Sequence, residues 1–294
     1  MLDSLDHVII GVRDLGEATL HYTELLGREP AWRGSHPEAG TSNTLFRLDN
    51  TYVELLTPGR GGPISDLLTA WLGERGEGLV ALAFGTPDAV ACHGTFTERG
   101  LEPEPMEQEH GESGATDAVR QWKRVPLPLA TTRGVILFAV EHTSAPELLQ
   151  HSPAIAADDE AVSGLDHVVV RTSDAAAARA LYGDGLGLRL ALDRTAEQWG
   201  MRMLFFRVGG VTVEVTAPLD ETASSGDSAK PDELWGLCYR MPDARSARAR
   251  LDAAGVDVSE VRAGRKPGTS VFTVRSKTCG VPTLMLEAPP RDGP

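Results

Sequence analysis

Residues 5–12, Leu-Asp-His-Val-Ile-Ile-Gly-Val, form a short apolar run rich in β-branched side chains, which predicts a strand. Asp14 then stands as a helix N-cap, the helix runs through Leu26, and Gly27 closes it. Two strand-like runs, 44–48 and 52–57, flank Asp49-Asn50, a two-residue turn signal. The order starts again at Leu79: a strand, a helix over 88–99, then strands around 121–126 and 135–141. Two successive βαβββ modules are expected, over residues 1–78 and 79–142.

The pattern then returns. Leu5-Asp6-His7-Val8-Ile9-Ile10 recurs as Leu165-Asp166-His167-Val168-Val169-Val170 at an offset of 160. The same offset carries Asp14 to Asp174, Tyr22 to Tyr182, Val53-Glu54 to Val213-Glu214 and Pro58 to Pro218. Leu82-Ala83-Phe84 returns as Leu237-Cys238-Tyr239 at 155, and Glu141 as Glu287 at 146. The chain reads as a duplication. A first domain over 1–142 is followed by a second over 164–294, with modules 164–233 and 234–294. Residues 143–163, rich in Ala, Ser, Pro and acids, read as a linker.

Composition narrows the classes. A chain of 294 residues fits two domains, and 41% apolar residues exclude chain-wide disorder. No stretch approaches the ~20 apolar residues of a membrane span. The N-terminus lacks the basic-then-apolar pattern of a signal peptide. Cys92, Cys238 and Cys279 are odd in number and far apart, which suits neither a disulfide framework nor a Cys-based zinc site. They fit a reducing compartment, so a cytoplasmic location is expected. The formal net charge of −14, without a basic stripe, opposes nucleic-acid binding. The acid excess lies in the first half, with 11 Lys/Arg against 21 Asp/Glu over 1–142, whereas 164–294 holds 17 of each. A small-molecule ligand is the expected partner, and a homodimer stays open.

The pattern Leu-Asp-His-Val followed by Tyr52-Val53-Glu54-Leu55-Leu56 resembles the vicinal oxygen chelate superfamily of glyoxalases, bleomycin-resistance proteins and extradiol dioxygenases. The stretch His36-Pro37-Glu38-Ala39-Gly40-Thr41-Ser42-Asn43 resembles the signature of its glyoxalase-like subgroup. The resemblance implies an α+β fold. In it, each of two tandem domains curls paired βαβββ modules into a mixed-sheet cup with helices outside. It also implies metal ligands on the first and last strands of modules: His7 and Glu54 in one domain, His167 and Glu214 in the other. The remaining ligand positions hold Ala81, Phe138, Gly236 and Leu284, while Glu141 and Glu287 fall on the opposite strand face. Each domain thus keeps half a metal site, so the cofactor is expected to be absent or a weakly bound divalent metal. Neighbouring modules should pair; a composite quartet from modules one and three is the alternative.

Hairpin register supplies the rest. With Asp49-Asn50 in the turn, Arg47 faces Tyr52 and shares a side with Glu54; Gly209-Gly210 places Arg207 likewise with Glu214. His7, Glu54, Arg47 and His36 are the candidate catalytic set, with His36 on a loop before Thr44. Asn43, Tyr52, Trp235 and Arg207 are candidates for substrate binding. A His–Glu pair can act as general base, and an Arg can hold an anionic oxygen. The other histidines, His142 and His110 among them, receive no role. Two functions stay open: lyase- or isomerase-type proton transfer on a small organic molecule, or binding and resistance without catalysis. Dioxygenase chemistry is disfavoured by the incomplete ligand set. The first domain is expected to carry the function, because only it has the His36–Asn43 segment.

Overall fold

Alternation along the first strand separates two apolar environments. In β1 (Ser4–Gly11), Leu5, Val8 and Ile10 point to a large outer core, while His7 and Ile9 point the other way. The computed structural model describes residues 1–219 and 230–288. Asp14 caps α1 (Leu15–Leu26) by accepting from the Glu17 amide, and Gly27 ends it in the left-handed region at φ 65°. Three strands follow: β2 (Trp32–His36), β3 (Thr41–Arg47) and β4 (Tyr52–Pro58). Next comes α2 (Pro63–Arg75), with Pro63 in its first turn, where a missing N–H costs nothing. The second module contributes β5 (Gly78–Gly85), α3 (Ala89–Glu98), β6 (Glu107–Ser113), β7 (Val119–Pro126) and β8 (Ile136–His142). These eight strands close into a barrel in the order β1-β4-β3-β2-β6-β7-β8-β5.

The second half repeats the plan with β9 (Gly164–Arg171) and α4 (Ala175–Arg179), which runs on into a π-helical turn over Ala180–Gly185. It continues with β10 (Arg189–Ala196), β11 (Met201–Val208), β12 (Val211–Pro218), β13 (Glu233–Met241) and α5 (Ala244–Ala253). The last strands are β14 (Arg262–Ala263), β15 (Ser270–Val274) and β16 (Thr283–Glu287). The order is β10-β11-β12-β9-β13-β16-β15-β14, the same arrangement cut open. In the first half β2 and β6 meet through Gly34 opposite Ser113 and Ser35 opposite Glu112. Their counterparts β10 and β14 are the two ends of the second sheet.

Pairing runs within each half, so His7 and His167 sit in different sheets and no composite quartet forms. The outer faces of both sheets and α1, α3 and α5 share one continuous core, in which Tyr22, Phe96, Tyr182, Phe206, Tyr239 and Phe272 are fully buried. Polar ties cross it: the Tyr22 hydroxyl donates to the Thr278 carbonyl, and Lys277 pairs with Glu24 at 2.7 Å. The segment 143–163, expected as a linker from its composition, is fastened to both halves. Val162 N donates to Leu26 O, Asp49 N to Ser163 O, and Ser163 N to Arg240 O. Its small side chains suit close packing as well as solvation. Among the described residues no helix is long and apolar enough to cross a membrane.

Candidate functional site

The barrel encloses a cavity of about 530 Å³ whose lining comes entirely from the first half. Its floor is apolar, built from the inward residues Ile9, Leu56, Ala81 and Phe138, with α2 adding Leu68 and Trp71. A polar chain crosses that floor. It begins at a β-bulge, because Leu5 faces Phe84 and His7 faces Ala83, leaving Asp6 as the extra residue. The bulge swings the Asp6 carboxylate beside the next ring, with His7 Nδ1 to Asp6 Oδ2 at 2.7 Å. His142 Nε2 approaches the same carboxylate at 3.0 Å. An ionised carboxylate only accepts, so both rings donate to it, and His7 is left with its Nε2 turned the other way. Burial pushes the Asp6 carboxyl up, but the hydrogen bonds from His142 and His7 outweigh it and hold the group well below its ordinary range.

Glu54 stands 3.4 Å from His7 Nε2 and is buried. An imidazole nitrogen and a carboxylate oxygen that face each other at that separation can share a proton or hold a donor group of a ligand between them. Asn43 Nδ2 donates to the other Glu54 oxygen at 2.8 Å and lies 3.3 Å from His36 Nε2. His36 Nδ1 meets Thr41 Oγ1 at 2.9 Å. Burial lowers the His36 pKa, against the opposing pull of Glu54 and Glu109, and Arg120 lowers it further; the ring is held neutral. Tyr52 stacks on His7 with centroids 4.5 Å apart. The arrangement is a line of proton-handling groups along one side of a largely apolar chamber.

The structure brings His7, His36, Asn43, Tyr52 and Glu54 together around the cavity. His36 ends β2 and Asn43 lies in β3, so the turn between them is shorter than the loop expected from sequence. Arg47 faces Tyr52 in register, but it is not among the lining residues; its guanidinium sits 5.9 Å from the Tyr52 ring, at the end of β3. The inward arginines come from β7 instead, where Arg120, Trp122 and Arg124 alternate toward the cavity. His142 and His110, given no role from sequence, also line it.

In the second half His167 and Glu214 are again near each other, Nε2 to Oε2 3.6 Å, and Asp166 again occupies a bulge and meets His167 Nδ1 at 3.0 Å. The residue directly across from His167 is Cys238 rather than Leu237, because the bulge at Asp166 shifts the register by one, and Gly236 faces Val169. Burial disfavours the charged His167 ring, but Cys238, Asp166 and Glu214 raise its pKa well above the usual value; burial raises the Cys238 thiol. Arg207 is exposed, and Trp235 carries the Arg171 guanidinium 4.1 Å from its ring centre; neither lines the barrel cavity. A catalytic divalent metal usually takes three protein ligands. In the barrel, Ala83 opposite His7 and Phe138 beside it add no donor, and the next imidazole, His36, approaches only the far Glu54 oxygen, at 4.0 Å, so the set fits that need poorly. In the second half Asp166, His167 and Cys238 bring one donor atom each within 4.8 Å of one another, a set zinc accepts.

Comparison with known proteins agrees with this architecture. Residues 166–273 match the Glyoxalase/Bleomycin resistance protein/Dioxygenase superfamily. An ethylmalonyl-CoA/methylmalonyl-CoA epimerase from Cereibacter sphaeroides is 27% identical over 100 residues, 33% of this chain and 75% of that protein. A mutant of 4-hydroxymandelate synthase from Streptomyces coelicolor superposes with a TM-score of 0.69 at 17% identity, covering 100% of this chain and 94% of that one. A hypothetical protein from Staphylococcus aureus gives 0.64 at 10% identity, over 95% and 97% of the two chains. Both structures speak for the fold alone. Residues 5–160, more than half of the chain, match the family described as the glyoxalase-like domain, and the protein belongs to that family.

Proposed function

We propose that residues 1–142 form an acid–base site that moves a proton on a small organic substrate, with His7 and Glu54 as the proton-transfer pair. The observation that carries this reading is the buried contact between His7 Nε2 and Glu54 Oε2, each held from behind, by Asp6 and by Asn43. Asp6 fixes the His7 ring so that its Nε2 faces Glu54, and Asn43 fixes the carboxylate rotamer. A proton taken from a carbon beside a carbonyl passes to one member of the pair. The C–H electrons move into the carbonyl as an enolate, and the proton returns from the same or the other member. Neutral His36 stands next in line to relay it. The similarity of part of the chain to an epimerase, an enzyme that removes and replaces a proton, supports the same reading.

Proton exchange in D₂O, followed by NMR over a panel of neutral and anionic carbonyl compounds, tests it. Wild-type protein should wash deuterium into at least one compound, and Glu54→Gln should slow that exchange about 10²–10⁴-fold. A compound that binds in the barrel without exchange, across the whole panel, would leave a binding protein.

A further inference from the structure

The inward side chains of β7 meet three different partners across the ladder. Arg124 faces Glu107, Trp122 faces Glu109 and Arg120 faces Gly111. The first two are satisfied on the spot: Arg124 pairs with Glu107 and with Glu109 at 3.0 Å, and the Trp122 indole donates to Glu109 at 2.7 Å. At the third position the partner has no side chain. Arg120 is only 7% exposed. Among the described residues no carboxylate oxygen lies within 4.0 Å of its guanidinium. Trp32 and Tyr52 flank it at 5.6 and 5.7 Å. Aromatic faces steer and hold a guanidinium, but they supply no countercharge.

A guanidinium cannot shed its proton to escape burial, so an uncompensated one is costly. Gly111 also keeps the neighbouring space clear, since a Cβ there would come within 3.3 Å of His36 and 3.4 Å of Trp122. The Tyr52 ring that touches Arg120 is the one stacked on His7. A group bound at Arg120 therefore lies one ring away from the proton-transfer pair.

We infer that Arg120 is the anion anchor of the barrel, and that its ligands are small carboxylates whose apolar bodies lie on the α2 wall of Leu67, Leu68 and Trp71. The inference rests on the acid–base reading for its site but not for its chemistry. A planar carboxylate matches the guanidinium fork and supplies the missing charge.

Calorimetric titration with hexanoate and hexanamide, alike in length and differing in charge, tests it. Wild-type protein should bind hexanoate at least about tenfold more tightly than hexanamide. Arg120→Met should weaken hexanoate about 10–100-fold and leave hexanamide within about twofold, with Arg120→Lys retaining part of the preference. Equal affinities for the two probes, no binding of either, or a folded Arg120→Met that binds hexanoate like wild type would each overturn the anchor. If Arg120→Met does not fold, the two-probe comparison on wild-type protein decides alone. Hexanoate binding without proton exchange on any panel compound keeps the anchor and removes the acid–base reading. Exchange on neutral carbonyl compounds, with no preference for anions, does the reverse.

Discussion

The two halves carry the same Asp-His bulge and the same facing glutamate, yet one encloses them and the other leaves them open. The difference is a seam. In the barrel, β2 and β6 join through two residue pairs and shut the chamber. In the second half β10 and β14 remain apart, β14 being only two residues long and β10 carrying exposed Arg189, Asp193 and Arg194. Charged, short edge strands resist pairing. The consequence is dielectric: the His7 and Glu54 side chains are each 7% exposed, whereas His167 and Glu214 are 20% and 14% exposed. A carboxylate and an imidazole gain strength as proton carriers when water is excluded. The duplicated chemistry is thus expected to work in the closed half.

The sharpest test of that contrast substitutes the paired glutamates separately. Glu54→Gln should cost proton exchange about 10²–10⁴-fold, and Glu214→Gln less than about twofold, measured on the same compound. Equal losses would mean two working sites and erase the contrast. A loss confined to Glu214→Gln would show that the open sheet does the work.

The seam itself can be attacked. A Cβ at Gly34 would collide with the carbonyl oxygen of Glu112 and with the Trp32 indole, both across or beside the closing pair. Gly34→Ala should therefore destabilise the protein by about 1–3 kcal/mol in a denaturant titration. It should also loosen ligand binding in the barrel. An unchanged midpoint and unchanged affinity would mean that closure is not what sets the halves apart.

Much of this contrast was legible in the sequence, and some could not be. Asp14, Gly27 and Asp88 announced helix limits because caps have a specific chemistry that survives any tertiary setting. The matched offsets announced the duplication. The strand β6, Glu-Gln-Glu-His-Gly-Glu-Ser, reads as a polar loop, because the face it turns inward meets the polar side of the chamber and so breaks the apolar alternation. Arg120 escaped for a related reason: its meaning depends on facing Gly111, a register that no local pattern reveals. Cys238 was hidden by one residue, since the bulge at Asp166 shifts which side chain faces His167. The strand alternation Val119-Arg120-Gln121-Trp122-Lys123-Arg124 was the available signal for the inward arginines.

Acid titration sharpens the contrast more gently. The Asp6 carboxyl is held low by His142 and His7 against the upward push of burial, and Asp166 by His167 and Arg240 against the same push. A folded pKa below the unfolded value of about 3.9 gives stability that is fully present above that value. It is lost as the pH falls toward the folded pKa. The thermal midpoint of wild-type protein should therefore fall progressively as the pH drops below about 4, and Asp6→Asn should flatten that fall. Asp166→Asn should flatten it less, because Asp166 is the more exposed side chain. Identical slopes in both variants would mean that enclosure does not strengthen the Asp–His contact.

The smallest expected effect is a chelator's effect on turnover. The barrel offers a prospective metal the His7 and Glu54 donors, but Glu54 is already engaged by Asn43, and Ala83 and Phe138 occupy the facing positions. The open sheet offers an imidazole, a thiol and a carboxylate within reach of one ion. Proton exchange by the barrel should accordingly change less than about twofold after dialysis against a chelator, since neither position facing the pair supplies the third ligand a divalent centre usually takes. Zinc or cobalt added back should bind in a manner abolished by Cys238→Ser and indifferent to Glu54→Gln. The decisive reversal would be exchange lost on chelation, restored by a divalent metal, and a metal content that disappears with Glu54→Gln. That outcome would place the metal chemistry in the closed half and reduce the thiol cluster of the open half to packing.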